Sequence, residues 1–92
     1  MEEKTKKFYF YVLLCADDTL YGGFSTDVFH RLEQHESGQG AKYTRPKFRH
    51  PLKLIYYEEF PTKSLALKAE YAFKHQPKYR KLEFLADHHV TF

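Results

Sequence analysis

Tyr11 and Tyr21 stand ten residues apart in the stretch FYFYVLLCADDTLYGGFS, Phe8 to Ser25. A phenol donates and accepts hydrogen bonds, and once deprotonated it is a base. If the stretch is a hairpin turning near Asp17, side chains alternate faces with a period of two, and both phenols project from one face. Tyr11 then lies opposite about Gly23, with Tyr21 on the diagonal roughly 7–8 Å away. The same geometry also suits a cross-strand aromatic pair that does nothing but pack.

Arg31 and His35 are four apart, so on a helix they share a face. A guanidinium grips an oxyanion with two donors, and an imidazole gives or takes a proton near neutral pH, which together suit a phosphate. A solvated helix surface is the plainer reading, and it covers the neighbouring His30, Glu33, Gln34 and Glu36. Glu70 falls about a quarter-turn from an apolar helix face, beside Ala66 and Phe73. There a half-buried carboxylate can hold a hard divalent cation, with water and phosphate oxygens completing the shell. It can equally pair with Lys74, four residues on.

From Ser37 to Tyr57 there is no acidic residue, while Lys42, Arg45, Lys47, Arg49 and Lys53 all fall there, interleaved with Tyr43 and Phe48. Cations bind phosphates and rings stack on unpaired bases, so this run is a candidate nucleic-acid surface, centred on Lys42, Tyr43, Arg45, Lys47 and Arg49. A solvated face is its bland alternative.

These residues need elements to hold them. Phe8 to Leu14 reads as a strand, and its unbroken apolar character implies that both faces are covered. Thr19 to Phe24 returns, with Gly22 and Gly23 marking a bulge, a structural turn or a close approach of another backbone or ligand. Ser25 to Asp27 carry helix-start chemistry before a helix from about Thr26 to Glu36, with Val28, Phe29 and Leu32 inward and a stop at Gly38. The Gly- and Pro-containing segment that follows reads as a loop with a short helical turn near Ala41 to Thr44. Leu52 to Phe60 is a third strand whose alternation Ile55 breaks. A helix from Lys63 to about His75 buries Leu65, Ala69, Ala72 and Phe73, and Pro77 ends it. A last helix turns Tyr79, Leu82 and Leu85 inward. The order β-β-α-β-α-α predicts an α+β fold, a three-stranded antiparallel sheet flanked by helices.

Ninety-two residues suit one domain, 1–92, with the chemistry-bearing part at about 8–76. Cys15 is the only cysteine, so no internal disulfide forms, and it reads as a packed core residue. No apolar run reaches the roughly 20 residues of a membrane span, and MEEKTKK has no apolar stretch behind a basic start. A cytoplasmic location is expected. His88 and His89 have no companion ligands and receive no role.

With Tyr11, Tyr21, Gly23, Arg31, His35 and Glu70 in this order and spacing, the chain resembles the GIY-YIG nuclease family, above all its small stand-alone bacterial members. The stretches YVLLCADDTLYGGFSTD, RLEQH, GAKYTR and SLALKAE carry the likeness, over about Tyr9 to Phe73. The chain departs from the pattern in lacking Gly-Ile before Tyr11 and in having Gly22 where isoleucine is usual. Tyr43 stands where some homing-type members have a second histidine. The resemblance implies a metal-dependent endonuclease, a phosphodiester hydrolase acting on DNA more than RNA, working in DNA repair or processing. It implies Tyr11 as general base with Tyr21 beside it, Arg31 on the phosphoryl oxygens, His35 as second base or proton shuttle, and one Mg²⁺ or Mn²⁺ on Glu70. Arg31 and the metal are expected to lower the Tyr11 pKa. A protein partner for targeting is compatible with so small a chain.

Two other readings stand beside it. A binding module with this fold but no cleavage would bind nucleic acid with a steep salt dependence, a log–log slope of about −4.5 if five loop cations meet duplex phosphates. A protein-interaction domain would use exposed rings such as Tyr56, Tyr57 and Phe60.

Overall fold

The apolar run Phe8–Leu14 forms β1, the middle strand of a three-stranded sheet in the order β2-β1-β3. Its partners are β2, Leu20–Ser25, and β3, Lys53–Phe60, both antiparallel to it. Helices α1 (Val28–Glu36), α2 (Lys63–Lys74) and α3 (Lys78–Asp87) complete the expected α+β order. The computed structural model describes residues 6–92. The first five residues of the N-terminal stretch read above lie outside the described residues.

A middle strand has two faces to cover, and alternation sends its side chains to two cores. Phe10 and Val12 pack with Leu20, Phe73 and Leu85 on the side of α2 and α3. Tyr11 and Leu13 pack with Cys15, Val28 and Leu52 on the side of α1 and the loop before β3. Cys15 is buried, and burial pushes its thiol above the ordinary value, in keeping with a core residue. The β1–β2 turn closes through Cys15 N–H to the Thr19 carbonyl, 2.9 Å, with Asp18 at φ 69°, a left-handed conformation that aspartate tolerates better than most. The β1–β3 register slips by one residue, Val12 pairing with Tyr56 but Leu13 with Leu54. Ile55 is the extra residue of that bulge, which is why the sequence alternation fails there.

The helices bury narrower stripes than their apolar residues suggest. In α1 the inward residues are Val28 and His35, with Leu32 half-buried between them, while Phe29 is 61% exposed and meets Tyr57 edge-on. In α2 they are Ala66 and Phe73 with Ala69 and Glu70 half-buried, whereas Leu65 and Ala72, expected inside, are exposed. In α3, Leu85 and Phe84 face the core, and Tyr79 and Leu82 are exposed. Hydrophobicity alone did not choose the face: spacing of i, i+4, i+7 along Val28, Leu32, His35 and along Ala66, Glu70, Phe73 did. Both polar members of these stripes are candidate site residues. Among the described residues, no helix is long and apolar enough to cross a membrane.

Candidate active site

Tyr11 pairs with Gly23 in the β1–β2 register, as the hairpin parity required. Gly23 lies within β2, not at a turn, and what approaches it is a side chain: the Tyr11 ring lies across it. A Cβ at this position would stand 2.8 Å from Tyr11 Cε1 and nearer still to the phenol oxygen. The missing side chain lets Tyr11 reach over β2, and its hydroxyl meets His35 Nε2 at 2.7 Å. Tyr21 sits beside both, its ring centre 6.4 Å from that of Tyr11 and 5.2 Å from that of His35.

His35 is fully buried, in the last turn of α1. Its other ring nitrogen, Nδ1, meets Thr44 Oγ1 at 2.7 Å, and the Thr44 hydroxyl reaches the Ala41 carbonyl at 3.0 Å. The His50 ring, through Nε2–H, donates to the Thr44 carbonyl at 2.6 Å. Gly40 packs flat against the imidazole: a Cβ there would fall 2.8 Å from His35 Cγ and 2.9 Å from its Cα. Sequence reasoning misses Gly40, Thr44 and His50. Their segment has no period to reveal them, and the available signal was the short helical turn expected near Ala41 to Thr44, which forms at Lys42–Thr44.

Arg31, on the same helix as His35, donates to Gln34 Oε1 at 3.0 Å, so Gln34 orients it and is more than solvated surface. The Arg31 guanidinium is near enough to both phenols to favour their ionisation, but burial, reinforced by Tyr21, outweighs it and holds the Tyr11 pKa well above the ordinary phenol value. Burial raises Tyr21 in the same way, with Arg31 opposing and Glu70 adding to the rise. Arg31 therefore does not by itself lower the Tyr11 pKa as expected: desolvation of the anion dominates. His35 moves oppositely, pushed down to about 4 by burial and then by Arg31 and His50, so it is neutral at pH 7. A phenol that does not ionise on its own thus faces an uncharged imidazole.

Glu70 projects from the buried stripe of α2 and acts electrostatically on both tyrosines. Its carboxylate lies 3.6 Å from Lys74 Nζ, the i+4 pairing foreseen as its alternative. Such a pair contributes only about 0.3–0.5 kcal/mol, too little to bar a divalent ion. Among the described residues no three His, Cys, Asp or Glu side chains gather as a metal cluster. A single carboxylate fits the mode in which Mg²⁺ keeps most of its waters and takes phosphate oxygens from the substrate.

The basic loop divides. Lys42, Arg45 and Lys47 are exposed, as is Phe48. Arg49 is occupied: Nε donates to Asp17 at 3.2 Å, Nη1 to the Tyr43 carbonyl at 2.7 Å, and its guanidinium carbon sits 3.8 Å from the Tyr43 ring centre. Tyr43 also stacks on Tyr21 at 6.0 Å. Arg49 and Tyr43 therefore clamp the loop to the β1–β2 hairpin. A cavity of about 270 Å³ opens beside Tyr21 and Tyr43, walled by Leu20, Gly22, Lys74 and Lys81. Of the three rings Tyr56, Tyr57 and Phe60, only Tyr57 is exposed. Tyr56 packs on Phe10 and Phe84 and donates to Glu58 at 2.6 Å.

The family model of the GIY-YIG catalytic domain matches residues 7–83. The chain belongs to the GIY-YIG family. It is 62% identical over 85 residues to a UPF0213 protein of Lactiplantibacillus plantarum, covering 92% of this chain and 84% of that one. It is 57% identical over 86 residues to a UPF0213 protein of Limosilactobacillus reuteri, covering 94% and 90%. Among solved structures it is similar to the protein EF2693 from E. faecalis, with a TM-score of 0.64 and 49% identity over 97% of this chain and 92% of that one. The UPF0213 protein BH0048 from Bacillus halodurans gives 0.58 and 40%, over 87% and 83%. These neighbours are solution NMR structures, and they share the α+β fold. GIY-YIG domains form a nuclease superfamily, in general dependent on a divalent metal, and membership suggests a nucleic-acid substrate.

Proposed function

We propose that this GIY-YIG domain, residues 1–92, is a metal-dependent endonuclease that hydrolyses nucleic-acid phosphodiesters, DNA in preference to RNA, in the cytoplasm. The observation that carries this reading is the 2.7 Å contact between Tyr11 and His35, made beside Tyr21 and within electrostatic reach of Arg31 and Glu70. Tyr21 supports it from beside the pair, and Arg31 and Glu70 act on the two phenols electrostatically.

In this mechanism Tyr11 takes a proton from the attacking water while passing its own to neutral His35, so no free phenolate is needed at neutral pH. Tyr21 lies beside the pair and orients the water. Arg31 neutralises charge growing on the phosphoryl oxygens. Glu70 would hold Mg²⁺ or Mn²⁺, which supplies Lewis acidity toward the phosphate and the leaving 3′ oxygen. Lys42, Tyr43, Arg45 and Lys47 would line the approach, with Arg49 acting through the loop it clamps. A protein partner that selects the target is compatible with this arrangement.

Cleavage of labelled single- and double-stranded DNA and RNA with Mg²⁺ or Mn²⁺ tests the reading. Wild type is expected to cut, Glu70→Gln to lose cutting, and Tyr11→Phe to lose turnover while keeping nucleic-acid affinity within about twofold. Salt-sensitive binding without cleavage in wild type would favour the non-catalytic binding module, which the raised Tyr11 pKa and the Lys74 pairing of Glu70 also suit.

A further inference from the structure

Each hydrogen in the buried chain from Tyr11 to Ala41 can be assigned by counting donors. The Ala41 carbonyl can only accept, and it lies 3.0 Å from Thr44 Oγ1. A threonine hydroxyl has one proton. Spent on Ala41, that proton leaves Oγ1 only lone pairs toward His35 Nδ1 at 2.7 Å, so Nδ1 must carry the ring proton. Nε2 is then bare and accepts from the Tyr11 hydroxyl at 2.7 Å. In the reverse assignment the Thr44 hydroxyl and Ala41 carbonyl oxygens would face each other at 3.0 Å with no proton between them, the carbonyl keeping only the Thr44 amide as donor.

We propose that Thr44 is a positioning residue for the reaction: its hydroxyl fixes the His35 tautomer and thereby turns the Tyr11 hydroxyl proton inward, leaving a lone pair of Tyr11 for the attacking water. This rests on the nuclease reading and adds to it a residue outside the recognised motifs. Were His35 protonated on Nε2 instead, it would donate to Tyr11, and Tyr11 would offer the water a proton in place of an acceptor.

The proton count closes. Water gives one proton to the Tyr11 oxygen as Tyr11 gives its own to Nε2. The hydroxide adds to phosphorus and the P–O bond to the 3′ oxygen breaks. The His35 imidazolium keeps its Nδ1 proton on Thr44 and returns the Nε2 proton through Tyr11, which releases one to solvent or to the leaving oxygen. Thr44 does not touch the substrate in this scheme.

Two features make Thr44 suited to this. It is fully buried, so no water competes for its hydroxyl. Its carbonyl is held by His50 at 2.6 Å and its amide donates to Ala41 at 3.0 Å, which fixes its backbone as well as its side chain. Gly40 leaves the imidazole the room that a Cβ would take.

The test compares Thr44→Val, which keeps the shape and loses the hydroxyl, with Thr44→Ser, which keeps it. The first readout is independent of activity: two-bond ¹H–¹⁵N correlation of the His35 ring shows which nitrogen is bare. Wild type and Thr44→Ser are expected to show bare Nε2, and Thr44→Val to lose that preference. In cleavage assays kcat is expected to fall roughly 100-fold or more in Thr44→Val, with KM unchanged and Thr44→Ser restoring most of the rate. A bare Nδ1 in wild type overturns the proposal, and that measurement needs no variant to fold. So does a Thr44→Val protein that keeps wild-type kcat. A wild type with bare Nε2 that cuts no nucleic acid would instead overturn the nuclease reading and leave the tautomer assignment standing.

Discussion

At the scale of single residues, the site shows how burial redirects chemistry that a list of side chains leaves open. Tyr11 as an isolated base requires a lowered pKa, and the positive charge of Arg31 has the right sign to lower it. The fold nevertheless buries the phenol, and the desolvation of its anion outweighs that charge. His35 is displaced the other way, to about 4 from an ordinary 6.5, because burial comes first and Arg31 and His50 add to it. Stability inherits this displacement. Between pH 6.5 and about 4 the unfolded chain holds a proton on this histidine that the native state refuses, so stability rises with pH across that window. About 3 kcal/mol is present above pH 6.5 and is lost as pH falls toward 4. Urea denaturation at pH 7.0, 5.5 and 4.5 is expected to show the midpoint dropping steeply for wild type. His35→Gln, which cannot titrate, should start lower and drop less over the same range; parallel curves would show that another group governs acid unfolding. The titratable and charged groups facing this histidine are Arg31, His50, the two phenols and, through them, Glu70.

At the scale of elements, the hairpin was legible and the loop was not, for physical reasons. A middle strand apolar on both faces announces itself, and with the turn centred on Asp17 the even spacing of Tyr11 and Tyr21 places them on one face. Helix existence followed from caps, Asp27 accepting from the His30 amide at 3.1 Å and Thr62 from that of Leu65 at 3.2 Å. The inward faces did not, because α1 and α2 spend core positions on His35 and Glu70 and leave Phe29, Leu65 and Ala72 outside. Nothing in the periodicity of Ser37 to Pro51 could show that Gly40 and Thr44 close around His35, since those contacts depend on how the loop folds back and carry no repeat. The two glycines of this segment separate space from strain. Gly38 has φ +82°, and a Cβ added there would meet nothing within 4 Å, so Gly38→Ala is expected to destabilise by about 1–2 kcal/mol through backbone strain alone and to leave kcat unchanged. Gly40 lacks the positive φ but has no room. Gly40→Ala is expected to destabilise by about 1–3 kcal/mol and also to displace His35 from Tyr11, lowering kcat. Denaturant midpoints and cleavage rates measured on both variants check this; equal kcat in the two would show that the imidazole is not held by Gly40.

At the scale of the whole molecule, the question is which cations face a nucleic-acid strand. The acid-free run from Ser37 to Tyr57 was visible in sequence, but its five charges are not equivalent once folded. Arg49 spends its guanidinium on Asp17, the Tyr43 carbonyl and the Tyr43 ring, so it has little left to exchange for a phosphate. Four loop cations would give a log–log salt slope of about −3.6 on duplex instead of −4.5. Two lysines far away in sequence enter the count from the other side, because Lys74 and Lys81 wall the cavity beside Tyr21 and Tyr43. In the proposed function, a strand that brings a phosphate along this cavity to Tyr21 would pass between the basic loop and α3. Binding titrations without divalent metal over a range of salt, on single neutralising variants, distinguish these roles. Lys47→Gln and Lys81→Gln are each expected to make the slope shallower by about 0.9, one counterion's worth. Arg49→Gln is expected to keep the slope and instead to lower the denaturation midpoint, having lost the clamp between loop and hairpin. A slope unchanged in Lys81→Gln would place the strand on the loop side alone, and one that shallows in Arg49→Gln would mean that its contacts to Asp17 and Tyr43 yield when nucleic acid binds.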